Sequence, residues 1–180
     1  MATYVALLRG INVGTAKRVA MADLRDLLGA LGYTDVRTLL NSGNAVFAAS
    51  AATGRNAGTR IEQALVKRLG VASRVLVFSG AELTQIVAEN PLVEISTNHS
   101  RLMVAFLLNG VDRARLEPLA KRSWGKERLR IGARAVYYWC PESILASPVS
   151  TAVGKALGDA MTVRNWNTVL RLHALADPSA

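Results

Sequence analysis

The sequence predicts an α+β fold made of two ferredoxin-like (split βαβ) subdomains packed together. Three observations predict it. Strand-length apolar runs and stretches of helical spacing alternate through residues 1–95 as β-α-β-β-α-β with one further helix, which is the order of the split βαβ motif. A looser version, β-α-β-β-α-α, returns over residues 96–180. No low-complexity stretch separates the halves, so a join near residues 91–100 and firm packing of the two are expected.

In the first half, residues 4–8 are a short apolar run that reads as a strand, and a loop follows from Gly10 through Gly14 to Arg18. Met21, Leu24, Leu27, Leu28 and Leu31 recur at helical spacing, and Gly32 stands at the C′ position where a helix ends. Residues 36–40 are the next strand. Asn41-Ser42-Gly43-Asn44 is a turn, because Asn and Gly tolerate positive φ, and residues 45–49 return from it. Residues 50–58 are small and polar and read as a loop. Ile61, Leu65, Val66 and Leu69 mark a second helix ending at Gly70, and residues 74–78 are a fourth strand. Ser79-Gly80-Ala81-Glu82 is a capping-box pattern that opens a helix through Val87, closed by Asn90-Pro91.

In the second half, residues 102–108 are a strand and residues 112–122 are helical, with Pro118 confined to the first turn or marking a kink. Residues 128–131 and 134–140 form a hairpin around Gly132-Ala133. Residues 149–157 and 162–175 are the last two helices.

Composition narrows the function classes. A chain of 180 residues buries roughly 70% of the surface it exposes when unfolded, so it needs no disulfide or metal staple. Hydrophobic residues at 51% and charged residues at 19% exclude intrinsic disorder. The longest apolar run, residues 102–108, is far shorter than the roughly 20 residues of a membrane span, so no membrane partner is expected. Met1 leads into an apolar strand with no charged n-region, so no secretory signal is expected. The single cysteine, Cys140, forbids an internal disulfide and fits a reducing, cytoplasmic location. Two histidines and one cysteine cannot build a Cys/His zinc cluster. No Ser/His/Asp order or carboxylate pair stands out, so neither metal nor cofactor is expected and the sequence names no reaction. Cys140, His99 and His173 read as packed or solvated side chains. Oligomeric state is not legible.

The formal charge is +9, and it is unevenly spread. Residues 1–100 carry 10 basic and 7 acidic residues, and residues 101–180 carry 12 and 6. Residues 113–134 alone hold 8 basic residues against Glu117 and Glu127. A local basic patch is what a phosphate-bearing or nucleic-acid partner would select. Arginine outnumbers lysine 17 to 5, so a compositional origin of the patch is an equally open reading.

The segments Leu8-Arg9-Gly10-Ile11-Asn12-Val13-Gly14, Met21-Ala22-Asp23-Leu24-Arg25, Asn41-Ser42-Gly43-Asn44-Ala45-Val46-Phe47, Asn90-Pro91, and Thr162-Val163-Arg164-Asn165-Trp166-Asn167-Thr168-Val169 together resemble the DUF1697 family. The resemblance runs from residue 4 to about residue 172. It implies a bacterial cytoplasmic α+β protein with ferredoxin-like elements and supplies no activity. The sequence departs from the family pattern at Pro141-Glu142-Ser143 and Ala146-Ser147-Pro148-Val149. The family typically has Pro-Asp-Gly and then Arg-Ser-Lys-Leu there, so any anion site using those basic residues is weakened in this chain.

Four constellations could carry function. Between the first strand and first helix, Arg9, Gly10, Asn12, Gly14 and Lys17 form a glycine-containing turn that can aim amides at an anion, with Arg18 adding charge. The alternative is a tight irregular loop that needs its glycines. Ser42 and Asn44 could hydrogen-bond the polar edge of a ligand, or simply make the turn. Thr162 reads as an N-cap, which would place Arg164 and Asn165 in the first turn of the last helix. A cation there opposes the helix dipole unless an anion compensates it. The alternative partner is a carboxylate across the subdomain interface. In the hairpin, a Gly132-Ala133 turn pairs Ile131 with Arg134, Leu129 with Val136, Arg128 with Tyr137 and Lys126 with Trp139. That register gives one sheet face with Lys126, Arg128, Arg130, Tyr137 and Trp139, a mixture suited to stacking bases and neutralising phosphates. The alternative is a solvated face whose basic stems cover aromatic rings.

The leading expectation is therefore a binding module for a phosphate-bearing ligand, a nucleotide or nucleic acid. The competing expectations are an enzyme acting on a phosphorylated or carboxylated small molecule in the inter-subdomain groove, and a purely structural or interaction protein.

Overall fold

Residues 1–108 and 113–177 are described by a computed structural model, so Asp112, the expected start of a helix, lies outside the described residues. Contacts divide the chain into two compact units, Met1–Thr84 with the chain from Leu172 on, and Gln85–Arg171. The division falls inside two helices, Gly80–Ala88 and Trp166–Ala176, each shared by both units, and not at residues 95/96. Thr84 Oγ1 bonds His173 Nε2 at 2.9 Å in the first unit, whereas the Ile86 carbonyl accepts from the Tyr137 hydroxyl at 2.7 Å in the second.

In the first unit, β1 (Ala2–Leu8), α1 (Met21–Ala30), β2 (Thr34–Leu39), β3 (Asn44–Ala49), α2 (Ala51–Arg55), α3 (Ala57–Leu69), β4 (Val75–Ser79) and α4 (Gly80–Ala88) follow one another. The sheet is antiparallel, in the order β2-β3-β1-β4. One face places Ala6, Leu8, Ala45 and Phe47 against Leu24, Leu28, Ile61 and Leu65 of α1 and α3. These are the positions whose helical spacing predicted the helices. Gly32 closes α1 as expected: Tyr33 N donates to Leu28 O and Gly32 N to Gly29 O, a Schellman pattern. The capping box at α4 also forms, with Ser79 N donating to Glu82 Oε2 at 2.8 Å and Glu82 N to Ser79 Oγ at 3.2 Å.

Residues 50–58, expected as loop, hold α2. Ser50 caps it by accepting from Thr53 N at 3.2 Å. Gly54 lies so close to Tyr4 that a Cβ would stand 2.1 Å from the ring.

The second unit repeats the plan with β5 (Leu102–Leu107), α5 (Glu117–Lys121), β6 (Arg128–Ile131), β7 (Ala135–Trp139), α6 (Pro148–Leu157), β8 (Met161–Asn165) and α7 (Trp166–Ala176). Its antiparallel order, β6-β7-β5-β8, is the order of the first sheet strand for strand. Leu107, Leu129, Val136 and Tyr138 pack on Val149, Val153 and Leu157 of α6. Pro118 sits in the first turn of α5, one of its two expected placements. Two sequence expectations need correction. The helical segment expected over residues 112–122 is, where described, a 3-10 turn at Arg113–Arg115 followed by α5 at Glu117–Lys121. Residues 162–165, expected as the start of the last helix, belong to β8 (Met161–Asn165), paired with β5 from Met103↔Asn165 to Leu107↔Met161. The repeat is therefore complete.

Among the described residues no helix is long and apolar enough to cross a membrane.

Candidate anion site

The loop from Arg9 to Ala20 has an unusual backbone. Gly10 (φ +63°), Asn12 (+55°), Gly14 (+60°) and Lys17 (+50°) all take left-handed conformations. Asn12 holds the loop together. Its Nδ2 donates to Val19 O at 2.8 Å and to Asn41 O at 2.7 Å, and its Oδ1 accepts from Val19 N at 2.9 Å. Its own amide donates to Lys17 O at 3.1 Å. The Asn12 side chain is thus consumed as a latch between the loop and the 41–44 turn and is not an outward hydrogen-bonding edge. The Arg9 backbone is fixed to the start of β4, through its amide to Arg74 O and from Ser73 Oγ to its carbonyl.

The turn points inward as well. Asn44 is fully buried, and its Nδ2 donates to Leu39 O at 2.7 Å and to Ser42 Oγ at 2.9 Å. Gly43 (φ +83°) lets the turn lie against β1 and the loop, with Leu8 N donating to Gly43 O at 2.8 Å.

What the latch builds is an open hollow of about 390 Å³ lined by Asn12, Arg18, Val19, Ala20 and Asn41. Arg18 is exposed. The hollow lies at the start of α1, where Leu24 N makes the first ladder bond to Ala20 O. The N-cap is Ala20, which has no side-chain acceptor, so that position leaves the first-turn amides uncapped. Ala20, the residue before the first turn of α1, and Arg18 therefore line one hollow next to the positive end of the helix dipole. Sequence reasoning found the loop and passed over the cap; the signal was alanine in the position before Met21, where Ser, Thr, Asp or Asn is usual.

Arg164 and Asn165 are placed differently from expectation. Arg164 is buried in β8, opposite Val104. Its Nη1 donates to Thr162 Oγ1 at 2.9 Å and to Val163 O at 2.8 Å. Burial pushes its pKa down to about 10, which leaves it a cation at neutral pH. The cap of α7 is Asn165, whose Oδ1 accepts from Thr168 N at 3.0 Å. Arg164 thus belongs to a strand and not to the first turn of the last helix.

The hairpin register is also displaced. Gly132 N donates to Ala135 O at 2.8 Å, so Ala133-Arg134 occupy the turn, and Ile131 pairs with Val136, Arg130 with Tyr137 and Arg128 with Trp139. Gly132 serves close packing instead of the turn, since a Cβ there would stand 2.9 Å from Tyr137 Cε2. Tyr137 and Trp139 share a face with Arg128 and Arg130, but both aromatics are buried. Lys126 pairs with Glu142 at 2.8 Å, in the open. The aromatic part of the expected cationic-aromatic face is therefore not accessible, whereas Arg128 and Arg130 are exposed.

Cys140 is buried, and its Sγ donates to Ser147 Oγ at 3.2 Å. Burial raises the thiol pKa. Cys140 is accordingly expected to stay silent towards a disulfide reagent in the native protein and to react fully in denaturant; rapid native reaction would contradict the packing. Among the described residues, no group of three or more His, Cys, Asp or Glu side chains could hold a metal ion.

Comparison with known proteins adds to the fold. A family model described as "Protein of unknown function (DUF1697)" matches residues 1–137, so the segment at residues 162–169 lies beyond the match. The structure of the conserved bacterial protein SP0830 from Streptococcus pneumoniae is similar with a TM-score of 0.74 at 22% identity, over 98% of this chain and 99% of that one. That likeness concerns the fold. A putative chlorite dismutase, TA0507, aligns with a TM-score of 0.23 at 14% identity over 92% of this chain and 91% of its own, and carries no inference. No curated protein matches the chain.

Proposed function

The chain belongs to the DUF1697 family, and from that premise we propose that it is a binding module for a phosphate-bearing ligand such as a nucleotide, taken up at the N-terminus of α1. The observation that carries this reading is the uncapped start of α1 opening into the hollow beside Arg18. Helix amides and a guanidinium are the two standard donors to a phosphate, one fixed by the backbone and one planar and permanently charged. Asn12 has a positioning role: it holds the loop so that Arg18 stands beside the helix. Gly10, Gly14 and Lys17 serve the left-handed path of that loop.

Asp23 lies exposed in the first turn of α1 and competes for the same dipole. Asp23→Asn is therefore expected to tighten phosphate binding roughly two- to fivefold. Arg18→Ala should weaken it roughly tenfold or more and leave stability unchanged, because the side chain is exposed. Calorimetric titration with adenosine 5′-monophosphate and with adenosine tests the reading. Binding of the monophosphate alone, lost in Arg18→Ala, is the expected result. Absence of binding across nucleotides and sugar phosphates, or an unaffected Arg18→Ala, would leave the loop a purely structural device.

A further inference from the structure

The second unit carries its own concentration of positive charge, distinct from the hollow at α1. We infer that the hollow between α5 and β6 is a docking surface for single-stranded nucleic acid. It measures about 270 Å³, and Arg122, Trp124, Glu127, Arg128 and Arg130 are among its lining. Three arginines converge there, and each is exposed. The Arg122 guanidinium carbon lies over the Trp124 ring, 4.5 Å from its centroid. Arg128 Nη1 donates to Gly125 O at 2.5 Å and Glu127 O at 2.7 Å, and Arg130 Nη1 donates to Leu129 O at 2.8 Å. These bonds restrict the guanidinium groups, while each group has five N–H donors and so keeps others for phosphate oxygens.

The one carboxylate in the lining offsets one of the three positive charges, and its Oε2 is turned to other partners. Glu127 Oε2 accepts from Ser147 Oγ at 2.9 Å and from Val149 N at 3.0 Å, at the start of α6. It is held by hydroxyl and amide donors at a helix N-terminus, where a negative charge is favoured.

Single-stranded nucleic acid fits better than a duplex. The Trp124 indole donates its N–H to Leu119 O at 2.9 Å, which fixes the ring, and Arg122 over it offers a guanidinium plane. Unpaired bases stack on such planes, whereas a duplex keeps its bases to itself. The stacking plane is the exposed Arg122 guanidinium, backed by the Trp124 ring that packs on the core, and not the buried Tyr137 and Trp139 that the sequence pattern suggested.

The tryptophans supply the test. Trp139 and Trp166 are buried and Trp124 is half-buried, so fluorescence quenching reports mainly on Trp124. Titration of the full chain with a short oligothymidylate is expected to quench that emission, and log affinity should fall linearly with log salt. Each of Arg122→Gln, Arg128→Gln and Arg130→Gln should lower the slope by about 0.7; the triple variant should lose roughly tenfold or more in affinity. Arg18→Ala should leave the Trp124 quench and its salt dependence unchanged, which separates this surface from the proposal for α1. Equal or tighter binding of duplex DNA, an unaltered triple variant, or no binding at low salt would overturn the inference.

Discussion

Replacing Asn12 with alanine is expected to cost roughly 2–4 kcal/mol of stability in the first unit and to abolish phosphate binding. Three side-chain bonds disappear together, to Val19 O, Asn41 O and from Val19 N. Val19 is 3% exposed, so its amide would lose its partner out of reach of bulk water, and an orphaned buried N–H costs about 1–3 kcal/mol. Alanine at φ +55° adds backbone strain of about 1–2 kcal/mol. Asn12→Gly removes the same bonds without that strain, so it should be the milder variant by about 1 kcal/mol. Asn12→Asp keeps an acceptor for Val19 N but turns an oxygen towards the Val19 and Asn41 carbonyls, and should be no better than alanine near neutral pH. Urea unfolding of the three variants checks the ranking. A loss below about 1 kcal/mol for Asn12→Ala would mean that the latch contributes little beyond its exchange with water.

Gly43→Ala attacks the same junction from the other side and should cost roughly 2–4 kcal/mol. A Cβ there would stand 2.7 Å from Leu8 Cβ and 2.7 Å from Ile11 Cδ1, and the residue sits at φ +83°. The turn cannot back away without breaking the bond from Leu8 N to Gly43 O. Leu8 Cβ belongs to a core strand and cannot yield as the end of a long side chain would. Gly10→Ala is the control. It has the same kind of backbone at φ +63° but nothing within 4 Å of an added Cβ, so only the conformational cost of about 1–2 kcal/mol remains. Thermal or urea unfolding should separate the two clearly. Equal losses would show that the close approach at Gly43 is relieved by small shifts.

The sequence was most legible where local chemistry and packing agree. The spacing of Leu24, Leu27 and Leu28, the closing Gly32 and the Ser79–Glu82 box each fix a helix without help from distant residues. It was least legible where a distant partner decides. Residues 161–165 become strand because β5 offers an antiparallel edge to them, and neither periodicity nor capping registers that edge. The hairpin slipped because Gly132 is needed beneath the Tyr137 ring and not at the turn. At the candidate site the residue types were right and their directions were not visible. Asn12 and Asn44 spend their amides on the backbone, while the uncapped Ala20 and the exposed Arg18 face the hollow. Amide and guanidinium look equally suited to a ligand in one dimension; only the fold tells which of them is already satisfied.

The most direct measurement is an amide-resolved NMR titration of the ¹⁵N-labelled full chain with adenosine 5′-monophosphate. Saturable shifts of the Met21, Ala22 and Asp23 amides and of the Arg18 segment, lost in Arg18→Ala, are the predicted result. Shifts that never saturate, or that fall only between Arg122 and Arg130, would contradict a phosphate site at the start of α1.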